Sequence, residues 1–472
     1  MSRYVHRLVM PIVFPAGLHP GAGKDASNRL RVARDGCGRP VLRGTALAGA
    51  LRHAVAGALG VRAADDAVSR WFGWPCDARG GDAHGEPSPL RVADMVLEAP
   101  ELLVRHHIAV DRHRGGPTHG GLFDLEAWGP GTRGVLWLEV HDEHPEQGRD
   151  LLERIVGFFD AGWVLGGSGS RGVGRAEGAG PALWRRFDLR KLAEHAAILD
   201  ERFFARGGRF PTSGEPLEGR AAAEVLTVRM TLAVPRGQDL LVGDGQALDS
   251  EMEPQRARLP DGQEVWRLPG SSLRGVLRGW VSRLARREGE PVADSLERFE
   301  AQGPAQGGDI GWGFETDSAA RERIVAELEA DPARLDERVP CPVMRLFGSL
   351  YSRGRIHVAD SFGGAVDSGD QQRRAHVAVD RLTGGARDGF FFKNDVLCAG
   401  PTARFPVRLS VERPTEAEAR WLASSLRAID RGLVRIGSSK SGGRLALAES
   451  PTAAGPHREL FEAIQPSENS HG

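Results

Sequence analysis

Two stretches of alternating apolar positions, RYVHRLVMPIVF at 3–14 and EVLTVRMTLAVP at 224–235, each read as a β-strand with one face turned to a core. A polar, glycine-containing loop follows each strand, and then an amphipathic segment that opens on a glycine turn. In the second such segment, PGSSLRGVLRGW, residues Leu273, Val276, Leu277 and Trp280 recur at i, i+3, i+4 and i+7, the spacing of a helix with an apolar stripe. Ser271 or Ser272 is its expected N-cap. The rest of both halves mixes short strand patterns with a few helices, so the fold class is α+β. Segment 185–206 reads as a helix, 207–219 as a linker, and the chain from about Ala454 as a loose tail.

These patterns recur in a fixed order. VLRGTALAGALRH at 41–53 lies over RLPGSSLRGVLRGW at 267–280, with Gly44 and Gly270, Gly49 and Gly275, and Arg52 and Arg278 each 226 positions apart. WFG at 71–73 answers LFG at 346–348, and VAD at 92–94 answers VAD at 358–360. HIAVDRHRGG (107–116) and HVAVDRLTGG (376–385) stand 269 positions apart throughout, and GGSGSRGVGR at 166–175 answers IGSSKSGGR at 436–444. Five ordered blocks imply a duplication: one domain at 1–206, a linker at 207–219, a second domain at 220–453 and a flexible tail at 454–472. The segment at about 288–338 has no counterpart in the first half and reads as an insertion.

A chain of 472 residues exceeds a single core, in keeping with two domains. With no apolar run near membrane-spanning length and no charged-then-apolar leader, the reading is a cytoplasmic protein that makes no membrane contact. Cys37, Cys76, Cys341 and Cys398 are too scattered for a zinc site or a disulfide framework. A net charge of -1 excludes a globally basic surface, so any polyanion site must be a local groove. Lysine occurs only at Lys24, Lys191, Lys393 and Lys440; a GC-rich genome explains this arginine bias, which also suits bidentate phosphate contacts.

The glycine and basic loops carry the candidate chemistry. Glycines allow positive φ and close approach, while flanking hydroxyls and guanidiniums add donors to a nest of backbone N–H groups. The candidates are Ser168, Ser170, Arg171 and Arg175 in the first loop and Ser438, Ser439, Lys440 and Arg444 in the second. One such loop alone is an ordinary turn; recurrence at the same place in both halves points to a function. Arg43, Arg52, Arg274 and Arg278 flank the helix starts, where a solvated helix face is the competing reading. Turns at Arg112–Gly116 and Arg381–Gly385 separate paired strand patterns, which makes two hairpins. Phe123 and Phe390 to Phe392 near the tips suit an unstacked base or a core equally, and His106, His107 and His376 read as structural. The loop after the first strand offers Asp25, with His19 nearby, and the matching loop of the second half offers Asp244 and Asp249. Loop aspartates beside glycine are commonly turn formers. There is no Walker loop, dinucleotide fingerprint or HExxH, which argues against a small-molecule enzyme.

Strand, glycine and acid loop, PGSSLRG helix start, LFG, VAD, VAVDR hairpin and glycine–arginine loop, in that order over both halves, resemble the RAMP superfamily of CRISPR-associated proteins. Within it the resemblance is to the backbone subunit of type III effector complexes, here as a fused double of the III-D kind. The first half departs at Arg43, Thr45 and WFGWP. The resemblance implies two tandem modified ferredoxin-like, RRM-like RAMP domains with thumb hairpins. It implies guide RNA held by its sugar-phosphate chain, with His19 and the loop and helix-start residues named above as contacts. It implies thumbs around Arg112, His113, Phe123, Arg381 and Phe390 that wedge between guide and target. It further implies an endoribonuclease in which Asp25 and Asp249 hold Mg²⁺ or Mn²⁺, with Asp244 a third catalytic candidate, while the target's 2′-OH attacks its own phosphate. The implied partners are guide RNA, complementary target RNA and other CRISPR effector subunits. Two alternatives stay open: a scaffold that does not cut, and a nuclease that matures guide precursors, which the duplicated thumb disfavours.

Overall fold

The computed structural model describes residues 3–27, 29–63, 65–74, 86–99, 101–110, 117–200, 214–220, 224–243, 252–292, 326, 341–349, 353–437 and 443–467. In the first half, β1 (Tyr4–Phe14) leads through a loop to α1 (Gly44–Leu59), β2 (Met95–Glu98), the hairpin β3 (Leu102–Val110) and β4 (Pro117–Trp128), β5 (Thr132–Asp142), α2 (Gln147–Asp160) and β6 (Arg175–Gly178). The main sheet runs β6-β1-β5-β2, and β1 pairs antiparallel with β5 from Tyr4↔Asp142 to Phe14↔Thr132. Setting the hairpin aside, this is the βαββαβ ferredoxin-like arrangement.

The second half repeats it. β7 (Val225–Ala233), α3 (Gly270–Arg287), β8 (Ile356–Val358), the hairpin β9 (Gln371–Val379) and β10 (Ala386–Cys398), β11 (Arg404–Glu412), α4 (Glu416–Asp430) and β12 (Ala446–Leu447) form a sheet ordered β8-β11-β7-β12. Each half has its own apolar core. On α1, Leu47, Leu51 and Val55 are buried at i, i+4 and i+8; on α3, Leu273, Leu277, Val281 and Ala285 continue the same stripe. Val276 and Trp280 pack partly buried against it, as their spacing predicts. Fully burying one such side chain stabilises by about 1.5–3 kcal/mol, which is what holds a solvent-facing helix to its sheet.

Four local expectations are corrected. Segment 185–206 does not form one helix: Leu183–Asp188 is a strand paired with β1 from Tyr4↔Asp188 to Val9↔Leu183, which buries Trp184 and Phe187, and the helix covers Leu192–Asp200. The end of the linker is ordered, with Glu215–Pro216 paired to Leu183 and Trp184 and with Leu217 buried. As far as Ser467 the tail is anchored rather than loose, since Phe461 and Ile464 are buried in the second core and Asp430 accepts the Ser467 N–H; the residues after 467 lie outside the described part. Neither Ser271 nor Ser272 caps α3, whose N-cap is Pro269 with no side-chain cap bond. The first part of the linker, and the insertion apart from 288–292 and Ala326, lie outside the described residues.

Candidate nucleic-acid interface

Two of the repeated motifs meet in space. The Gly44 N–H donates to Asp94 Oδ1 at 2.7 Å, and the Gly270 N–H donates to Asp360 Oδ1 at 2.9 Å. The VAD aspartate of each half therefore does the work expected of a serine cap, placing a carboxylate at the positive end of the helix. Glycine is required at both starts, because a Cβ there would lie 2.2 Å from Val92 O or 2.1 Å from Val358 O. A third motif ends the short helices Asp66–Phe72 and Pro342–Phe347 at Gly73 and Gly348, with φ of 76° and 92°.

The glycine loop of the first half runs from Gly166 into β6, and Ser168 holds a left-handed φ of 65° inside it. Arg171 donates to Ser168 Oγ at 2.7 Å and lies 4.4 Å over the Phe123 ring, while Ser170 is exposed. The closing arginine is a correction to the expected RNA contact. Arg175 is buried, donates to Ala161 O at the C-terminal end of α2, and pairs with Glu177 at 2.7 Å. Arg444 repeats this, with Nη2 3.5 Å from Arg431 O at the end of α4. A Cβ on Gly162 or Gly432 would meet these guanidiniums at about 2 Å, so both arginines are built-in helix C-caps. His19 is likewise not at the surface: it is buried beneath Gly167, and its Nδ1 lies 2.6 Å from Glu126 O, an arrangement in which Nδ1–H donates. Burial lowers its pKa and keeps it neutral, so it supports the loop from below. Ser438, Ser439 and Lys440 lie outside the described residues.

Between the halves lies a cleft of about 1020 Å³. One wall is the small-residue face of α1, with Thr45, Gly49, His53 and Gly57, and the glycine loop at Gly166 and Ser168–Ser170 forms its rim. The other wall carries Arg274, Arg278, Arg345, Arg353, Arg355 and Arg413 from the second half. Among the described residues Glu412 is the single acid in this lining, where it pairs with Arg353 at 2.6 Å. Arg274 donates to Phe347 O, and Arg278 Nη2 lies 3.4 Å from Gly348 O, so the LFG turn orients both guanidiniums. Burial pushes Arg274 down to about 10, which still leaves it cationic at neutral pH. Of the residues singled out from the sequence, the fold thus brings together Ser168, Ser170, Arg274 and Arg278. Arg52 falls elsewhere, tying α1 to the next helix through Ala63 O and Ser69 Oγ, and Arg43 pairs with Asp94 at 2.9 Å. Arg345 precedes LFG as Arg70 precedes WFG, a repeat signal that was not singled out, whereas the arginines at 353, 355 and 413 carried none and were legible only in three dimensions.

Both expected hairpins pair their strands, and they match at two neighbouring cross-strand positions. His107 stacks on Phe123 across the first at 5.4 Å, and His376 stacks on Phe392 across the second at 5.1 Å. The neighbouring pairs, Ile108 with Leu122 and Val377 with Phe391, are exposed, Leu122 at 73% and Phe391 at 59%. The partner of Phe123 in this duplication is therefore Phe392, not Phe390, whose side chain lies outside the described part. Arg112 and His113 also lie outside it, and Arg381 is exposed at the second turn.

Asp25 sits in a tight turn after the strand Gly21–Lys24. Its Oδ1 accepts from the Ser27 N–H at 2.9 Å, the Ser27 hydroxyl at 2.7 Å and the Arg29 N–H at 3.0 Å, and its Oδ2 faces Arg31 at 3.3 Å. These hydrogen bonds, that from Ser27 first, lower its pKa to about 2. One oxygen is thus committed to the turn, and the other pairs with Arg31. Asp244 and Asp249 lie outside the described residues, and among those described no cluster of three or more His, Cys, Asp or Glu is placed to hold a metal ion. Among the same residues no helix is long and apolar enough to cross a membrane.

The family model of the RAMP superfamily matches residues 12–177 and 238–446, well over half of the chain and once in each half. No curated protein matches it. The chain belongs to the RAMP superfamily, a family of CRISPR-associated proteins that bind CRISPR RNA and other effector subunits, and its two tandem α+β units fit that assignment.

Proposed function

We propose that this RAMP protein is a double backbone subunit of a type III CRISPR effector complex, holding guide RNA by its sugar-phosphate chain and cutting the paired target RNA with the help of a divalent metal. The observation that carries the reading is the cleft: six arginines face a wall made mostly of glycine, alanine and threonine, with His53 among them and a glycine loop at the rim. Guanidiniums offer forked donors to phosphate oxygens, and a wall of mostly small side chains lets a sugar-phosphate chain come close. Contacts of this kind carry no base information, which suits a subunit that must accept any guide. The exposed pairs Ile108–Leu122 and Val377–Phe391 sit at equivalent places on two hairpins, as expected of thumbs that pry the guide–target duplex apart at regular intervals.

For cutting, a distorted target backbone brings the 2′-OH in line with its phosphate, and Mg²⁺ or Mn²⁺, when bound, neutralises the developing charge. Asp25 offers Oδ2 for that ion, beside Arg31. Asp244 and Asp249 are the second half's candidates. One observation favours a second reading, a scaffold that does not cut: Asp25 Oδ1 is already filled by three turn donors.

The deciding experiment uses the assembled complex and labelled RNA complementary to the guide, with Mg²⁺ or EDTA. Wild type is compared with Asp25→Asn, which retains the turn acceptor, and with Asp25→Ala, Asp244→Ala and Asp249→Ala. Discrete cuts that need metal and disappear one at a time with single aspartates support the nuclease. Equal cutting in all variants, or none in wild type, leaves the scaffold.

A further inference from the structure

One residue runs against the charge of the cleft. Six arginines line it, and Glu412, the last residue of β11, is the single acid among its described lining residues. A carboxylate beside a phosphate is repelled, so a cleft that bound phosphate alone would gain nothing from it. The fold does not need this side chain. Its Oε1 accepts from Arg353 Nη2 at 2.6 Å, with side-chain exposures of 43% for the acid and 60% for the arginine, and pairs as open as this add little to stability. The backbone holds β11 in place here, since the Glu412 N–H donates to Arg355 O at 3.0 Å and Glu412 O accepts from Arg355 Nη1 at 3.2 Å. Among the described residues no donor takes Glu412 Oε2. The next residue, Arg413, also lines the cleft and holds a left-handed φ of 44°, a strained conformation of the kind that gathers at binding sites.

We propose that Glu412 Oε2 accepts the 2′-OH of a ribose whose phosphate lies on Arg353 or Arg413, so that this one acid makes the cleft select RNA over DNA of the same sequence. The 2′-OH is the donor that ribose has and deoxyribose lacks, and a carboxylate oxygen is a strong acceptor for it. In one nucleotide the 2′-OH and the 3′ phosphate stand side by side, as the acid and its arginine do here. The negative charge then weakens binding of every polyanion and restores it only for one that carries the 2′ donor, which is discrimination by a group left unpaired against the wrong ligand. The inference rests on the reading of the cleft as a phosphate site and adds its choice of sugar.

The test is equilibrium binding of labelled uridine, deoxyuridine and 2′-fluorouridine oligomers to the full chain, read by fluorescence anisotropy. The three share bases and phosphates, and the fluoro sugar keeps a ribose-like pucker without a donor. Wild type is compared with Glu412→Ala and Glu412→Gln, with melting as the check on folding; should Glu412→Ala melt lower, Glu412→Gln carries the comparison. Wild type should prefer the ribose oligomer over both others by about tenfold, the worth of a hydrogen bond to a charged acceptor. Glu412→Ala should bind the two donor-free oligomers more tightly than wild type does and lose the preference, and Glu412→Gln, a neutral acceptor, should keep about threefold. An acid that only orients Arg353 would shift all three oligomers alike. Equal shifts for the three, zero included, or a wild type indifferent to the sugar, overturn the proposal. Binding that ignores both salt and Arg413→Ala overturns the phosphate reading of the cleft and the proposal with it.

Discussion

Arg105 Nη2 lies 2.6 Å from Asp360 Oδ2, and this ion pair, with side-chain exposures of 4% and 2%, pins the first hairpin of the chain to the helix start of the second half. Removing one member of a buried pair leaves the other charge uncompensated. Arg105→Met is therefore expected to cost about 3–5 kcal/mol in urea unfolding. The double change Arg105→Met with Asp360→Asn should recover most of that loss, because Arg267, 4.0 Å from Asp360 Oδ2, keeps its hydrogen bond to Gln255. Additive losses in the double variant would show that the two residues act separately.

The helical glycines separate into two kinds. Gly44→Ala and Gly270→Ala drive a Cβ into a strand carbonyl and should destabilise by about 1–3 kcal/mol. Gly49→Ala meets nothing within 4 Å and should stabilise by about 0.5–1 kcal/mol, as alanine does inside a helix. Since Gly49 also lines the cleft, the same variant should bind RNA less tightly while melting higher. Equal affinity would place the RNA elsewhere.

Phosphate contacts announce themselves in salt. Arg353→Ala and Arg413→Ala, on the cleft wall, should weaken guide RNA binding for all sequences and each lower the slope of log K against log salt by about one. Arg52→Ala, whose guanidinium is spent on Ala63 O and Ser69 Oγ, should leave that slope unchanged. A slope indifferent to the cleft arginines would defeat the backbone-contact reading.

The hairpin pairs should matter to RNA and not to folding. Leu122→Ser and Phe391→Ser alter exposed side chains, so stability should move by no more than about 0.5 kcal/mol. A fluorescent base analogue in the guide should then lose the unstacking signal at one position per variant. An unchanged signal in both variants would assign these side chains no role at the duplex.

Two buried histidines set an acid limit. Burial pushes His6 down to about 4 and His357 down to about 3, so both are neutral in the fold and protonate readily once unfolded. The folded form then binds fewer protons than the unfolded form between those values and about 6.5. Stability is full above about 6.5 and falls as pH drops through that window, by up to about 1.4 kcal/mol per pH unit for each imidazole. His6→Gln with His357→Gln should flatten a urea-midpoint profile between pH 6.5 and 4 relative to wild type.

The sequence by itself determined the duplication, the opening strands, the apolar stripes of α1 and α3 and the two hairpins, because repetition and periodicity are properties of short stretches and survive without a partner. It also marked the motifs that matter while leaving their partners unstated. That Gly44 meets Asp94, that Arg175 and Arg444 cap helices rather than face solvent, and that His19 lies under a loop depend on residues from 13 to more than a hundred positions away. Only the packed chain decided these contacts, and only it built the cleft, whose small-residue wall comes from one half and whose arginines come from the other. A guanidinium's role is set by the carbonyl or carboxylate that burial places beside it, and no local pattern along the chain encodes that neighbour.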